Sequence, residues 1–190
     1  MGTTDIIHRH YHSDIKRWMI FVDGENFTIR AQEIAREQGK ELFEGPYFQK
    51  DIFIWPSTRF QSEIVLDGAI KIPPIRSYYY TSTVGAEARL DEIRMMLWQI
   101  GFHAQVFKKT KGRKSKGVDI TLTKDVLSHA FLDNYDLAVL VAGDADYIPL
   151  IEEVKRLGKL VYIAFHRNAK IPNDLILMAD HFEPLDVEGL

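Results

Sequence analysis

Short apolar runs alternate with stripes of helical spacing along most of this chain, and that alternation restricts it to few folds. Trp18 to Val22 is an unbroken apolar run ending at Asp23-Gly24, the mark of a strand buried on both faces. Phe27, Ala31, Ile34 and Ala35 then recur at helical spacing, and Gly39 supplies a stop. Arg76 to Thr81 reads as a second strand, followed by a helix marked by Leu90, Ile93, Leu97 and Ile100 and closed by Gly101. Phe102 to Phe107 alternates as a half-buried third strand, and a helix runs from about Val118 to Phe131. Leu137 to Ala142 is the most apolar strand and ends in Gly143-Asp144. Leu150, Ile151, Val154 and Leu157 form the next stripe, stopped by Gly158. Leu160 to Phe165 is the fifth strand, and Pro172 opens a short helix ending near Ala179.

Strands separated by helices predict an α/β fold: a Rossmann-like three-layer sandwich around a central, mostly parallel sheet of five or six strands. In such sheets ligands bind outside the carboxyl ends of the strands, where strand order reverses. A flavodoxin-like order brings the first strand close to Leu137–Ala142, so Asp23 and Asp144 meet at that crevice. The chain's 190 residues suit a single domain over 1–190. Residues 1–15, polar and His-rich, read as a flexible tail rather than a secretory signal, and the alternating His8, His10 and His12 lack a partner cluster for a metal site. Residues 41–75, broken by Pro46, Pro56, Pro73 and Pro74, read as an insertion carrying one hairpin, with aromatic surface suited to a homo-oligomer contact. No apolar run reaches membrane-spanning length, and there are no cysteines, which together suit a cytoplasmic protein.

Four acids carry the chemistry: Asp23 in VDGEN, Asp119 in KGVD, and Asp144 and Asp146 in GDADY. A hard divalent cation takes oxygen ligands, and Mg²⁺ typically uses a few carboxylates plus waters and substrate phosphate. Such a metal lowers the pKa of bound water and offsets phosphodiester charge. Asn26, on the turn after Asp23 and Glu25, can orient water or metal through its amide. Each acid also has a plainer role: Asp23 and Asp146 as helix caps, and Asp119 favouring a helix N-terminus. Asp125, six residues past Asp119, faces elsewhere on its helix. Tyr78, Tyr79 and Tyr80 read as core or sheet-face residues before base-stacking ones.

The pieces FVDGENF at 21–27, KGVDITLTKDVL at 116–127, VAGDADYIPLIEEVKRLGKLVYIA at 141–164 and NDLILMADHFEPL at 173–185 resemble the NYN domains. These are a branch of the PIN-like nuclease superfamily that includes LabA-type proteins. The resemblance implies a PIN-like fold and an endoribonuclease using Mg²⁺ or Mn²⁺, leaving 5′-phosphate and 3′-hydroxyl ends. It assigns Asp23, Asp119, Asp144 and Asp146 as metal-binding and catalytic acids, with Asn26 beside them. Family members often carry Ser where this chain has Ala142.

The net charge of −3 excludes binding of nucleic acid through the molecule as a whole, so any such binding is local. Six of nine residues from 108 to 116 are basic: Lys108, Lys109, Lys111, Arg113, Lys114 and Lys116. Directly before the Asp119 helix, that segment suits salt-sensitive, sequence-independent contact with RNA phosphates. A non-catalytic RNA- or protein-binding module of the same fold is the alternative. A phosphatase of HAD type ranks last, because Asp23 is followed by Gly24-Glu25 rather than a nucleophilic Asp-x-Asp. No glycine pattern for a nucleotide cofactor is present.

Overall fold

The computed structural model describes residues 17–45, 48–54, 73–110 and 116–186. Six parallel strands form the central sheet: β1 (Trp18–Asp23), β4 (Arg76–Thr83), β5 (His103–Lys108), β6 (Leu137–Val141), β7 (Leu160–His166) and β8 (His181–Leu185). They lie in the order β5-β4-β1-β6-β7-β8. Helices α1 (Gly24–Glu37), α2 (Glu87–Gln99), α3 (Lys116–Phe131), α4 (Ile148–Arg156) and α5 (Asn173–Met178) connect them. A three-residue 3₁₀ turn, Ala145–Tyr147, precedes α4.

Counted along the chain, the six strands read 3-2-1-4-5-6, the order of a dinucleotide-type Rossmann sheet rather than the flavodoxin-like one expected. The difference strengthens the placement of the crevice, because β1 and β6 pair directly, Val22 opposite Val141. The chain winds outward from β1 in both directions, so strand order reverses between their carboxyl ends. The sixth strand, His181–Leu185, lacks a strong apolar run; it adds to β7 as a half-buried edge.

Alternation along β1 sets what each face does. Trp18, Ile20 and Val22 enter one core layer with Phe27 and Ala31 of α1 and Leu90, Ile93 and Leu97 of α2. Met19 and Phe21 enter the other, with Val118 and Leu122 of α3 and Leu150, Ile151 and Val154 of α4. Asp23 shares the parity of Met19 and Phe21, so its side chain is directed to the α3–α4 layer. Burial on both faces explains why β1 is continuously apolar until that acid.

The hairpin expected within 41–75 is present as β2 (Phe48–Gln49) paired antiparallel with β3 (Ile52–Phe53). Its turn places Asp51 at a positive φ of 65°, a conformation that Asp tolerates better than most residues. Ile52, Phe53 and Ile54 are core residues, which the label of insertion does not convey. The Thr28 hydroxyl accepts from the Phe53 amide at 2.9 Å and donates to the Gly24 carbonyl at 2.6 Å, fastening β3 to α1. The Tyr79 hydroxyl donates to the Phe53 carbonyl. The tail at 1–15 and residues 55–72 lie outside the described residues.

Candidate functional site

The site lies at the carboxyl ends of β1 and β6 and is organised around Asp23. This acid is only 3% exposed. Its Oδ1 accepts from the Asn26 amide at 2.9 Å, capping α1, and its Oδ2 accepts from the Tyr147 hydroxyl at 2.7 Å. One side chain therefore both caps α1 and anchors Tyr147. Burial pushes the Asp23 carboxyl up to about 7; the two hydrogen bonds work against that shift, while the nearby Asp119 and Glu25 carboxylates add to it.

Tyr147 is the member of the site that sequence reasoning missed. Its buried hydroxyl lies 2.7 Å from Asp23 Oδ2 and 3.4 Å from Asp119 Oδ1, so one group bridges the acids of β1 and α3. Burial and the two carboxylates raise its pKa, keeping it a neutral donor. The signal available in the sequence was a tyrosine directly after the acid pair of GDADY, a position that reads equally well as core. Asp119 itself sits in the first turn of α3, on an exposed position facing Tyr147.

Asn26 acts through its side-chain oxygen, which accepts from the Gly143 amide at 3.0 Å. That bond ties the first turn of α1 to the loop after β6. Asp144 caps the 3₁₀ turn, its Oδ1 accepting from the Asp146 amide at 3.2 Å, so the cap is Asp144 rather than Asp146. Asp144 is half-buried and Asp146 exposed. The structure thus draws Asp23 and Asp119 to one hydroxyl and sets Asp144 and Asp146 on the adjoining turn. Asp125 accepts from Tyr80 at 3.0 Å, on a different part of α3, as its spacing predicts.

Both glycines beside these acids are required by close approach. A Cβ on Gly24 would stand 2.0 Å from the buried Tyr79 ring, and one on Gly143 2.5 Å from the Phe165 ring. Neither is among the glycines with positive φ, so the Asp-Gly pair at 23–24 serves packing and not turn flexibility.

Of the basic segment, Lys109 pairs with Glu25 at 3.1 Å, which holds its ammonium beside the acids. Lys108 is exposed at the end of β5. Lys111, Arg113 and Lys114 fall outside the described residues, as does the side chain of Lys116.

Oxygen donors alone make up this constellation, which suits a hard cation in preference to zinc or copper. Among the described residues no three His, Cys, Asp or Glu side chains are gathered so as to hold a metal. What the chain provides is a pair of acids joined through one hydroxyl, the buried Asp23 and the exposed Asp119, whose neighbouring negative charge a divalent cation would compensate. Such a pair fits Mg²⁺ or Mn²⁺, which keep several waters and use few protein carboxylates.

A six-stranded parallel sheet in Rossmann order, with acids at its switch point and helices on both faces, defines a three-layer α/β domain of PIN-like type. The chain belongs to the NYN domain family, whose model matches residues 17–186, and NYN domains are part of the PIN-like superfamily. Members of this family are typically nucleases, and PIN-like nucleases generally use divalent metals. A crystal structure of a protein of unknown function from Vibrio parahaemolyticus shares the fold. It has a TM-score of 0.56 and 19% identity, covering 90% of this chain and 94% of that one. No curated protein matches the chain in sequence. No helix among the described residues is long and apolar enough to cross a membrane.

Proposed function

We propose that this domain is a metal-dependent endoribonuclease, hydrolysing RNA phosphodiesters at Asp23, Asp119, Asp144 and Asp146. The observation that carries this reading is the Tyr147 hydroxyl shared between Asp23 and Asp119 at the point where strand order reverses. Asp23 and Asp119 would hold Mg²⁺ or Mn²⁺, with Asp144 and Asp146 approaching from the adjoining turn. Bound there, the metal supplies an activated water and offsets phosphate charge. Tyr147 orients the two inner acids, and Asn26 sets the distance between the β1 and β6 ends through Gly143. Lys108, Lys109, Lys111, Arg113, Lys114 and Lys116 bring the RNA backbone to the acids by charge.

The test is incubation of labelled single-stranded and hairpin RNA with wild type and with Asp119→Asn, in Mg²⁺, Mn²⁺ or EDTA. Asp119 is exposed, so its substitution spares the fold; cutting is expected to fall about a hundredfold or more and to stop in EDTA. RNA left intact by the wild type in Mn²⁺ would overturn the enzymatic reading. One observation favours the rival non-catalytic module: the absence of a three-acid cluster among the described residues. Salt-sensitive RNA binding without cutting is the result that selects it.

A further inference from the structure

A second charged feature lies on the far side of Asp144 from the basic segment. A cleft of about 380 Å³ opens between α1, the loop after β6 and the loop after β7. Its wall includes Arg30, Gly143, Asp144, Lys170, Ile171 and Pro172. Lys170 is exposed, and among the described residues Arg30 is held by Glu33 one helical turn on, at 2.5 Å, with both side chains well exposed. Exposed pairs of this kind contribute little and yield readily to a better anion. Two cations therefore flank a crevice whose inner wall is an acid of the candidate site.

Order across the sheet gives this cleft its meaning. Along the carboxyl edge stand Lys108 at the end of β5 and Lys109 after it, then Asp23 on β1, Asp144 after β6, and Lys170 after β7. Cations lie outside and acids inside. From β5 to β7 the edge crosses four strand spacings, about 19 Å, room for several phosphates of one strand. A polyanion drawn only to the basic segment would end over acids that repel it; a second cationic anchor beyond them holds it across the metal-binding acids.

We infer that Arg30 and Lys170 form a phosphate subsite for RNA, binding a flanking phosphodiester of the strand whose cleaved bond lies over Asp23 and Asp119. This rests on the ribonuclease reading above and extends it to substrate path. The strand crosses the sheet edge perpendicular to the β-strands, with one phosphate seated between the guanidinium and the ammonium. Glu33 gives up its ion pair with Arg30 to that phosphate.

The experiment is binding of a fluorescent single-stranded RNA in EDTA, where cutting is arrested, over a series of salt concentrations. Wild type is compared with Lys170→Gln, with the double variant Arg30→Gln/Lys170→Gln, and with Lys40→Gln. Lys40 is an exposed cation just past the carboxyl end of α1, away from the cleft, and serves as the control for net charge. The double variant is expected to bind about tenfold more weakly, and its salt dependence to flatten by roughly one to two counterions. Lys40→Gln is expected to follow wild type. Equal weakening in Lys40→Gln would reduce the effect to overall charge and overturn the subsite. Unchanged binding by the double variant, with wild type still binding and cutting RNA, overturns the subsite and leaves the ribonuclease reading standing. Wild type that neither binds nor cuts RNA overturns both.

Discussion

The carboxyl ends of β1 and β6 use the same parts and put them to different uses. Each has an acid beside a glycine, each acid caps the turn that follows, and each glycine presses against a buried aromatic ring. Yet Asp23 is sealed under Tyr147, while Asp144 stands half-buried at the mouth of a cleft. Strand parity separates them. Asp23 is the last residue of its strand and continues the alternation into the α3–α4 layer, whereas Asp144 comes three residues after β6 ends. One end supplies a rigid acid, and the other supplies access. On the proposed ribonuclease reading, gripping a metal and admitting a long polyanion are separate tasks.

The largest expected difference between the ends is in the pH dependence of stability. Between about pH 4 and 7 the folded metal-free protein keeps a proton on Asp23 that the unfolded chain has lost, so Asp23 lowers stability as pH rises through that window. At pH 7 Asp23→Asn should stabilise the metal-free protein, by at most on the order of 4 kcal/mol, while removing metal-dependent cutting. Asp144→Asn should leave melting within about 0.5 kcal/mol, since Asn caps as well as Asp. Thermal melts in EDTA at pH 5 and 8 read both. A stabilisation by Asp23→Asn that is equal at the two pH values would show that its buried charge is not the cause.

His166 imposes an opposing slope. Its ring stacks on Phe27 at 4.0 Å and its Nε2–H donates to the Phe27 carbonyl at 3.0 Å, while Nδ1 is buried without a partner among the described residues. Burial holds its pKa down to about 4, so stability is lost as pH falls from about 6.5 towards 4, by roughly 3 kcal/mol at most. Wild type should thus show a flattened profile over pH 4–7, and Asp23→Asn should uncover the histidine slope.

Next in size is Gly24→Ala, expected to cost about 3 kcal/mol because its Cβ would stand 2.0 Å from the buried Tyr79 ring, which cannot withdraw without losing its bond to Phe53. Gly143→Ala meets a ring at 2.5 Å and should cost less; denaturant titration measures both. Equal tolerance at both positions would break the distinction between a rigid end and an accessible one. Tyr147→Phe removes the donor to Asp23 and should cost about 1–3 kcal/mol, with a tenfold to hundredfold loss of cutting, roughly. Asn26→Ala, which frees the Gly143 amide, should cost about 1 kcal/mol and slow cutting at saturating RNA more than it weakens binding.

Much of the fold was legible in one dimension. Apolar runs located β1, β6 and β7, because a strand buried on both faces must be apolar nearly throughout; β4 and β5 were found from the aromatic run at 76–81 and the alternation at 102–107, and the helices from their stripes. β8 escaped, since HFEPL is short, carries a proline and shows neither an apolar run nor a clear alternation. The hairpin at 48–53 was visible as a turn between aromatic pieces, but its burial was not. Its fastening is to Thr28 and Tyr79, residues 25 and 26 positions away from Phe53, and no local pattern announces that.

Asp23 and Asp144 were visible as groups of interest because Asp at a strand end beside Gly is written in the sequence. Sequence alone determined the α/β class, the family and the presence of acids at the carboxyl edge. Tertiary structure decided the rest: the 3-2-1-4-5-6 order, the sealing of Asp23, the bridge through Tyr147 to Asp119, and the cleft joining Arg30 to Lys170. Local propensity and hydrophobic period act over a few residues. A hydroxyl that meets acids 124 and 28 positions away, or two cations brought together from α1 and the loop after β7, exists only once the sheet has set the distances.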